Sequence, residues 1–357
     1  MKDSFFMGGT TPNGFSTQLT ELINNKAYHT YILKGGPGTG KSSLMKKVAE
    51  RFSEIEDVTC YYCSADPDSL DAVELHDSKT IIVDGTPPHV FEPGIPGVCQ
   101  TMIDLGQYWD RTCLEKYRGE IIRVSESYRS TMAGAANYSR ALGLICDGIF
   151  DRARGSVDRK MIDEAAQRFC STLFEKRQKD KGRQSVRQLS VMTQYGYMTL
   201  LDTIGAYSNI CILDDTFFAA SDMFIEIVAG QAVERGYDVK LSLCLLCDQT
   251  VREHLLIDEI STALITADPL TQITIPEAAH KDLTCFYDKA RMQANGNHPE
   301  ADRSLLNSIA GVLSGTLADA KRLHDELEQY YINAMDFAAL DSICGRICEE
   351  TEQRRHR

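Results

Sequence analysis

Apolar and polar positions change their period along the chain, and each change marks an element. Tyr28 to Leu33 is a β-branched and aromatic run. It breaks into GGPGTG and continues as KSSLMKKVAERF with apolar residues at helical spacing, which predicts strand, glycine loop and helix. Apolar runs at Val58 to Cys63 and Thr80 to Val83 predict two more strands, the last ending in Asp84-Gly85. Strands separated by segments of helix length predict the α/β class, a parallel sheet covered on both faces. From about Thr101 the pattern turns helical. Thr112 to Ala153 predicts a long helix broken at Gly134 or Gly143, and Val157 to Lys176 a second helix packing back on it. Ala301 to Tyr331 followed by Asp336 to Glu350 repeats that hairpin.

The repetition extends along the whole chain. Thr11-Pro-Asn-Gly14-Phe-Ser-Thr17 aligns with Thr193-Gln-Tyr-Gly196-Tyr-Met-Thr199, Ile32-Leu33 with Ile212-Leu213, Cys60 and Cys63 with Cys244 and Cys247, and Pro87 with Pro269. Asp147 and Asp158 of the first hairpin pair in the same way with Asp325 and Asp336 of the second. The offset drifts only slightly, as short loop insertions make it drift, so a tandem duplication is expected.

Gly35-Gly36-Pro37-Gly38-Thr39-Gly40-Lys41-Ser42 satisfies G-x-x-x-x-G-K-[ST], and it lies between a predicted strand and a predicted helix, where a phosphate loop has to lie. Glycines let the backbone curl so that the N–H groups of Gly38 to Ser42 aim at a phosphate, and the helix start adds its positive end. Lys41 supplies a mobile ammonium, the Ser42 hydroxyl a Mg²⁺ ligand, and Ser43 reaches for the α-phosphate. Asp84, closing an apolar strand, is the candidate Walker B carboxylate and second Mg²⁺ ligand. The expected cofactors are therefore ATP and Mg²⁺, ATP because the N-K-x-D guanine motif does not occur. Many hydrolytic P-loop enzymes carry Glu after the Walker B Asp, but here that place is Gly85. A water-orienting residue must come from elsewhere, with Asp66, Asp68, His89 and Glu92 as candidates that serve equally well as turn formers or caps.

At an offset of 180, Gly35 to Ser42 becomes Asp215-Thr-Phe-Phe-Ala-Ala220-Ser221-Asp222, and at 182 Asp84 becomes Thr266. Lysine, hydroxyl and carboxylate are lost together. Asp214 and Asp215 place negative charge where phosphate would lie, and Phe217 and Phe218 are expected to fill the cavity. The second copy is expected not to bind nucleotide. Arg235 and Arg252 read as surface arginines on helices rather than as groups reaching a γ-phosphate.

The domains expected are a P-loop NTPase module at 1–180 (core 1–98, helical hairpin 99–180) and a degenerate one at 181–357 (core 186–275, hairpin 276–357). Across its 357 residues the chain carries a net charge of −13, and its basic runs at Lys176 to Arg187 and Arg354 to Arg357 read as solvated linker and tail rather than a nucleic-acid face. No apolar run approaches the length of a membrane span, and the N-terminus lacks a signal peptide's pattern. A cytoplasmic location with no membrane partner is expected. The twelve cysteines are then reduced thiols. The CxxC pairs Cys60/Cys63 and Cys244/Cys247 sit in strand-like runs, where side chains three apart point to opposite faces, so they read as core rather than metal ligands.

The stretches TPNGF, YILKGGPGTGKSSLMKK, CSADPDSLDAV, IIVDGTPPHVFEPGIPG, IDLGQYWD and HDELEQYYINAMDF resemble a family of bacterial P-loop ATPase-like proteins built from two tandem modules and lacking an assigned role. The resemblance implies the fold and nucleotide binding, and a P-loop in both modules, from which this chain departs at Asp215 to Asp222. The expected function is an ATP hydrolase or nucleotide-dependent switch that signals through its helical hairpins to a protein partner. The alternatives are a phosphotransferase, with the Gly85 to Gly97 loop closing over a small acceptor, and a module that binds nucleotide without turnover.

Overall fold

Short runs of buried aliphatic and aromatic side chains, joined by turns and amphipathic helices, build two sheets. The computed structural model describes residues 2–87, 90–175, 180–247, 250–268, 270–271, 273–296 and 298–356. The first half runs β1 (Lys2–Phe6), β2 (Gly8–Thr11), β3 (Gly14–Thr17), α1 (Leu19–Ile23), β4 (His29–Lys34), α2 (Lys41–Phe52), β5 (Val58–Tyr62), β6 (Leu70–Leu75), β7 (Thr80–Asp84), β8 (Gln100–Asp104), α3 (Arg111–Lys116), α4 (Arg118–Arg154) and α5 (Arg159–Leu173). The second half runs β9 (Gln184–Val186), β10 (Ser190–Thr193), β11 (Gly196–Thr199), α6 (Leu201–Gly205), β12 (Asn209–Asp214), α7 (Ala219–Glu234), β13 (Val239–Leu243), β14 (Arg252–Ile257), β15 (Thr262–Ala267), β16 (Ala279–Asp282), α8 (Lys289–Ala294), α9 (Pro299–Ile332) and α10 (Phe337–Arg355).

The two six-stranded sheets have one topology, β1-β5-β6-β7-β4-β8 and β9-β13-β14-β15-β12-β16. Every pairing has the same sense in both. β4 is parallel to β7 and β8, and β12 to β15 and β16, while β6 and β14 run antiparallel to both of their neighbours. The duplication is thus visible strand for strand. The expectation of a wholly parallel sheet is corrected, because each sheet is mixed, though mostly parallel. The cause is β6: Leu70–Leu75 is buried at every position, so it shows no alternation, and it occupies the span read as a crossover. The edge strands β8 and β16 lie just past the core limits of 98 and 275.

The expected break in the long helix is also corrected, since α4 runs unbroken through Gly134 and Gly143. Gly143 is needed for space: a Cβ there would stand 2.1 Å from Pro12 Cγ.

The chain forms two compact units, and they are not the contiguous halves. Unit 1 comprises residues 1–9, 15–135 and 315–357; unit 2 comprises 10–14 and 136–314. The turn end and second helix of each hairpin, residues 136–173 and 315–355, therefore group with the sheet of the other half. The anchoring bonds recur almost atom for atom at an offset of 178. In unit 1, Asp110 N donates to Ala334 O at 2.7 Å and Asp336 N to Tyr108 O at 3.1 Å. In unit 2, Asp288 N donates to Ser156 O and Asp158 N to Phe286 O, both at 2.8 Å. Asp110, Asp158, Asp288 and Asp336 each cap the helix that follows with their carboxylates. In the unit 1 core, Leu44, Met45, Val48 and Phe52 of α2 pack in one cluster with Leu340, Ile343 and Ile347 of α10. His89, Pro269 and residues 176–179 of the basic run lie outside the described residues.

Candidate functional site

The site of unit 1 is built on the loop between β4 and α2. Gly38 (φ 68°) and Gly40 (φ 79°) adopt left-handed backbone that side chains disfavour, and neither has room for one. A Cβ on Gly38 would stand 2.7 Å from Glu328 O, and one on Gly40 2.5 Å from Leu340 Cδ2. Thr39 Oγ1 ties the loop by donating to Gly36 O at 2.9 Å.

Lys41 opens α2 and is turned back over the loop, where its Nζ donates to Gly35 O and Gly36 O at 2.9 Å each. The same Nζ lies 3.6 Å from Asp84 Oδ2, with both side chains largely buried. The parallel register that pairs Leu33 with Asp84 accounts for this proximity. Burial pushes the Asp84 carboxyl above its ordinary range, and Lys41 and Thr86 pull it back. Asp84 Oδ1 accepts from Thr86 N at 2.8 Å and Thr86 Oγ1 at 2.5 Å. Ser42 Oγ accepts from Leu70 N at 3.0 Å, and Ser43 is exposed. A hydroxyl and a carboxylate oxygen are hard donors that suit Mg²⁺. With Asp84 Oδ1 held by two hydrogen bonds from Thr86 and Oδ2 paired at 3.6 Å with Lys41, Oδ2 is the more loosely held oxygen, and the residues present fit the cation.

The other sequence candidates are distributed unevenly. Asp66 accepts from Ser69 Oγ at 2.8 Å and stands 3.6 Å from Lys321 Nζ, on the wall of the site. Asp68 is exposed, and Glu92 pairs with Lys34 at 3.2 Å on an exposed surface.

Several groups escaped the sequence reading. Asp71 is buried on β6, where the register that pairs Ala72 with Val83 carries it alongside Asp84, whose pKa it helps to raise. One face of α9 presents Lys321, His324, Asp325 and Glu328. Lys321 pairs with Asp325 as well as Asp66, and the donor atoms of His324, Asp325 and Glu328 all lie within 4.8 Å of one another. Glu328 Oε1 accepts from Gly38 N at 3.2 Å, so a carboxylate rests on the loop itself. His324 Nδ1 lies 3.8 Å from that same oxygen, and burial lowers the pKa of the imidazole. The signal available in the sequence was the spacing of 321, 324, 325 and 328, one stripe on a helix, which by itself reads as a solvated face. Cys63 also adjoins Asp71, and burial raises its thiol far above the range of a nucleophile.

The corresponding loop of unit 2 is filled from within. Asp215 accepts from Phe217 N at 3.0 Å, Ser221 N at 2.8 Å and Tyr287 Oη at 2.8 Å, and it is 2% exposed. Phe218 takes the left-handed conformation of Gly38 (φ 61°), and Phe217 and Phe218 are both buried. Asp222 accepts from Arg252 N at 2.9 Å, as Ser42 does from Leu70 N, and pairs with the Arg252 guanidinium at 3.0 Å. Arg235, just past the end of α7, donates to Cys170 O and Phe174 O, so the reading of both as surface arginines on helices is corrected: Arg252 opens the strand β14, and both are half-buried and engaged inside unit 2. The reading of Cys244 and Cys247 as residues on opposite faces of a strand is corrected: β13 ends at Leu243, and the two thiols hydrogen-bond to each other.

No described helix is long and apolar enough to cross a membrane. No family model matches the chain, and no characterised protein or solved structure matches it either.

Proposed function

We propose that unit 1 binds a nucleoside triphosphate with Mg²⁺, ATP by default, and hydrolyses it, and that the chain acts as a nucleotide-dependent switch. The observation that carries this reading is the position of Lys41. Its ammonium is fixed by two carbonyls of a glycine loop, 3.6 Å from a buried strand-end carboxylate. A lysine so held has little use in the core and is well placed to meet the charge of a polyphosphate. Ser42 and Asp84 would hold Mg²⁺, which when bound neutralises charge developing on the phosphate oxygens. The loop amides orient the phosphate chain, and the hydrophobic cover from Trp109 and Tyr331 beside Gly36 limits water on that side. The second loop is assigned no nucleotide, because Asp215 occupies its amides.

The test is phosphate release from Mg-ATP by the purified protein, with and without a metabolite mixture. Release without an added acceptor supports hydrolysis. Release that requires an acceptor and yields a phosphorylated product overturns it in favour of phosphotransfer.

A further inference from the structure

Resting on the reading of unit 1 as an ATP hydrolase, we propose that Glu328, carried on α9 from the second half of the chain, is the catalytic carboxylate that orients and deprotonates the attacking water. Gly85 follows Asp84, so the strand itself supplies no such group. Asp66 is committed to Lys321 and Ser69, and Glu92 to Lys34 at the surface. Glu328 touches the amides of the cradle itself, at 3.2 Å from Gly38 N. Its backbone passes close beside the loop, since Glu328 O lies 2.7 Å from where a Gly38 Cβ would stand. A triphosphate that claims the Gly38 amide displaces only the carboxylate, which swings about its own torsions and stays beside the terminal phosphate. The side chain is 32% exposed, so water reaches it.

The second unit supplies an independent observation. At the offset of 178 that relates the two hairpins, Glu328, His324 and Lys321 correspond to Phe150, Cys146 and Gly143. Phe150 and Cys146 are buried in unit 2, whose loop has lost its lysine. The acid and base disappear from the helix together with the ammonium and hydroxyl of the loop, as groups of one machinery should.

In the step proposed, the water oxygen bonds to the γ-phosphorus and the bond from that phosphorus to the bridging oxygen breaks, its electron pair leaving with ADP. The water proton passes to Glu328 and from there to solvent by way of neutral His324, 3.8 Å away, giving ADP and inorganic phosphate. His324 acts through Glu328 and is a positioning residue.

The test is Glu328→Gln, which still accepts from Gly38 N but takes no proton. Affinity for Mg-ATP by calorimetry should stay within about threefold or tighten, while kcat falls about 100-fold or more. Glu328→Ala should bind at least as tightly and be equally slow. His324→Gln should move the acid limb of the kcat profile, which a merely structural residue would leave in place. E328Q turnover within threefold of wild type, with the urea midpoint and affinity unchanged, overturns the assignment and leaves the hydrolase reading standing. A wild type that binds Mg-ATP without releasing phosphate overturns both.

Discussion

Replacing Lys41 with methionine keeps the length and most of the bulk of the side chain and removes its charge. In the free protein Nζ makes two hydrogen bonds to loop carbonyls, a longer one to Thr39 Oγ1 and one ion pair, with the side chain about 10% exposed. Breaking a buried pair can cost several kcal/mol when the remaining charge has no other recourse. Here the Asp84 carboxylate keeps its two hydrogen bonds from Thr86, so the loss of folding stability should be about 1–3 kcal/mol. For the nucleotide the loss is a charge-assisted contact to phosphate, about 1.5–3 kcal/mol, which corresponds to roughly 10- to 150-fold in Kd. Calorimetry with Mg-ATP gives the second quantity and urea unfolding of the same preparation the first. Combining Lys41→Met with Asp84→Asn should cost less than the sum of the single changes, since the pair is removed together. An affinity within threefold of wild type, in a protein whose unfolding midpoint shows it to be folded, would refute the assignment of the loop.

His254 is fully buried, with Nδ1 accepting from Thr266 N and Nε2 bonded to Ser190 Oγ, and burial depresses its pKa from 6.5 to about 3. The folded state thus binds fewer protons than the unfolded one between those values, so stability falls as pH drops through that window, by on the order of 4 kcal/mol; urea unfolding from pH 7 to 4 should show a smaller decline in His254→Gln. Asp215→Ala strands three donors and should cost about 3 kcal/mol in urea unfolding, yet calorimetry should still count one nucleotide per chain, because Lys41, Ser42 and Asp84 have no counterparts in the second loop; two sites would show that the carboxylate alone keeps that loop empty. The Cys344 thiol is lowered to about 7 by its hydrogen bond with Cys348, with help from Lys47, so at pH 7.5 iodoacetamide should label it before the exposed Cys285, as peptide mass spectrometry reads out. A fragment of residues 1–180 lacks α10, and losing Leu340, Ile343 and Ile347 from the core removes roughly 6 kcal/mol; its circular dichroism should show no cooperative melt until residues 181–357 are added.

The loop, the strand that feeds it and the carboxylate of Asp84 were legible in the sequence because each rests on contacts within a few dozen residues. So was the duplication, since equal offsets survive the loss of chemistry: Asp222 still meets Arg252 N as Ser42 meets Leu70 N. The strand β6 was not, because a run buried on both faces carries no period of two. The exchange of hairpins was hidden for a deeper reason. The stripe of α10 that buries Leu340, Ile343 and Ile347 would look the same whichever sheet it covered, and local periodicity carries no address. Glu328 was invisible on the same account, as an acidic residue on a helix joins the glycine loop only through a docking that the sequence does not announce.

Both loops hold a carboxylate on their amides, and the manner of attachment separates them. Asp215 belongs to its own loop, is buried, and takes three donors at 2.8 to 3.0 Å. Removing it would strand those donors away from water, so an external phosphate has to repay their full cost before any affinity appears. Glu328 belongs to a neighbouring helix, takes a single loop amide at 3.2 Å, and is a third exposed, so its departure leaves one donor that the incoming phosphate satisfies at once. On the proposed reading, the same electrostatic device closes one loop and leaves the other open to exchange with phosphate. That difference in tether then acts together with the loss of the lysine to leave one nucleotide site in a duplicated chain.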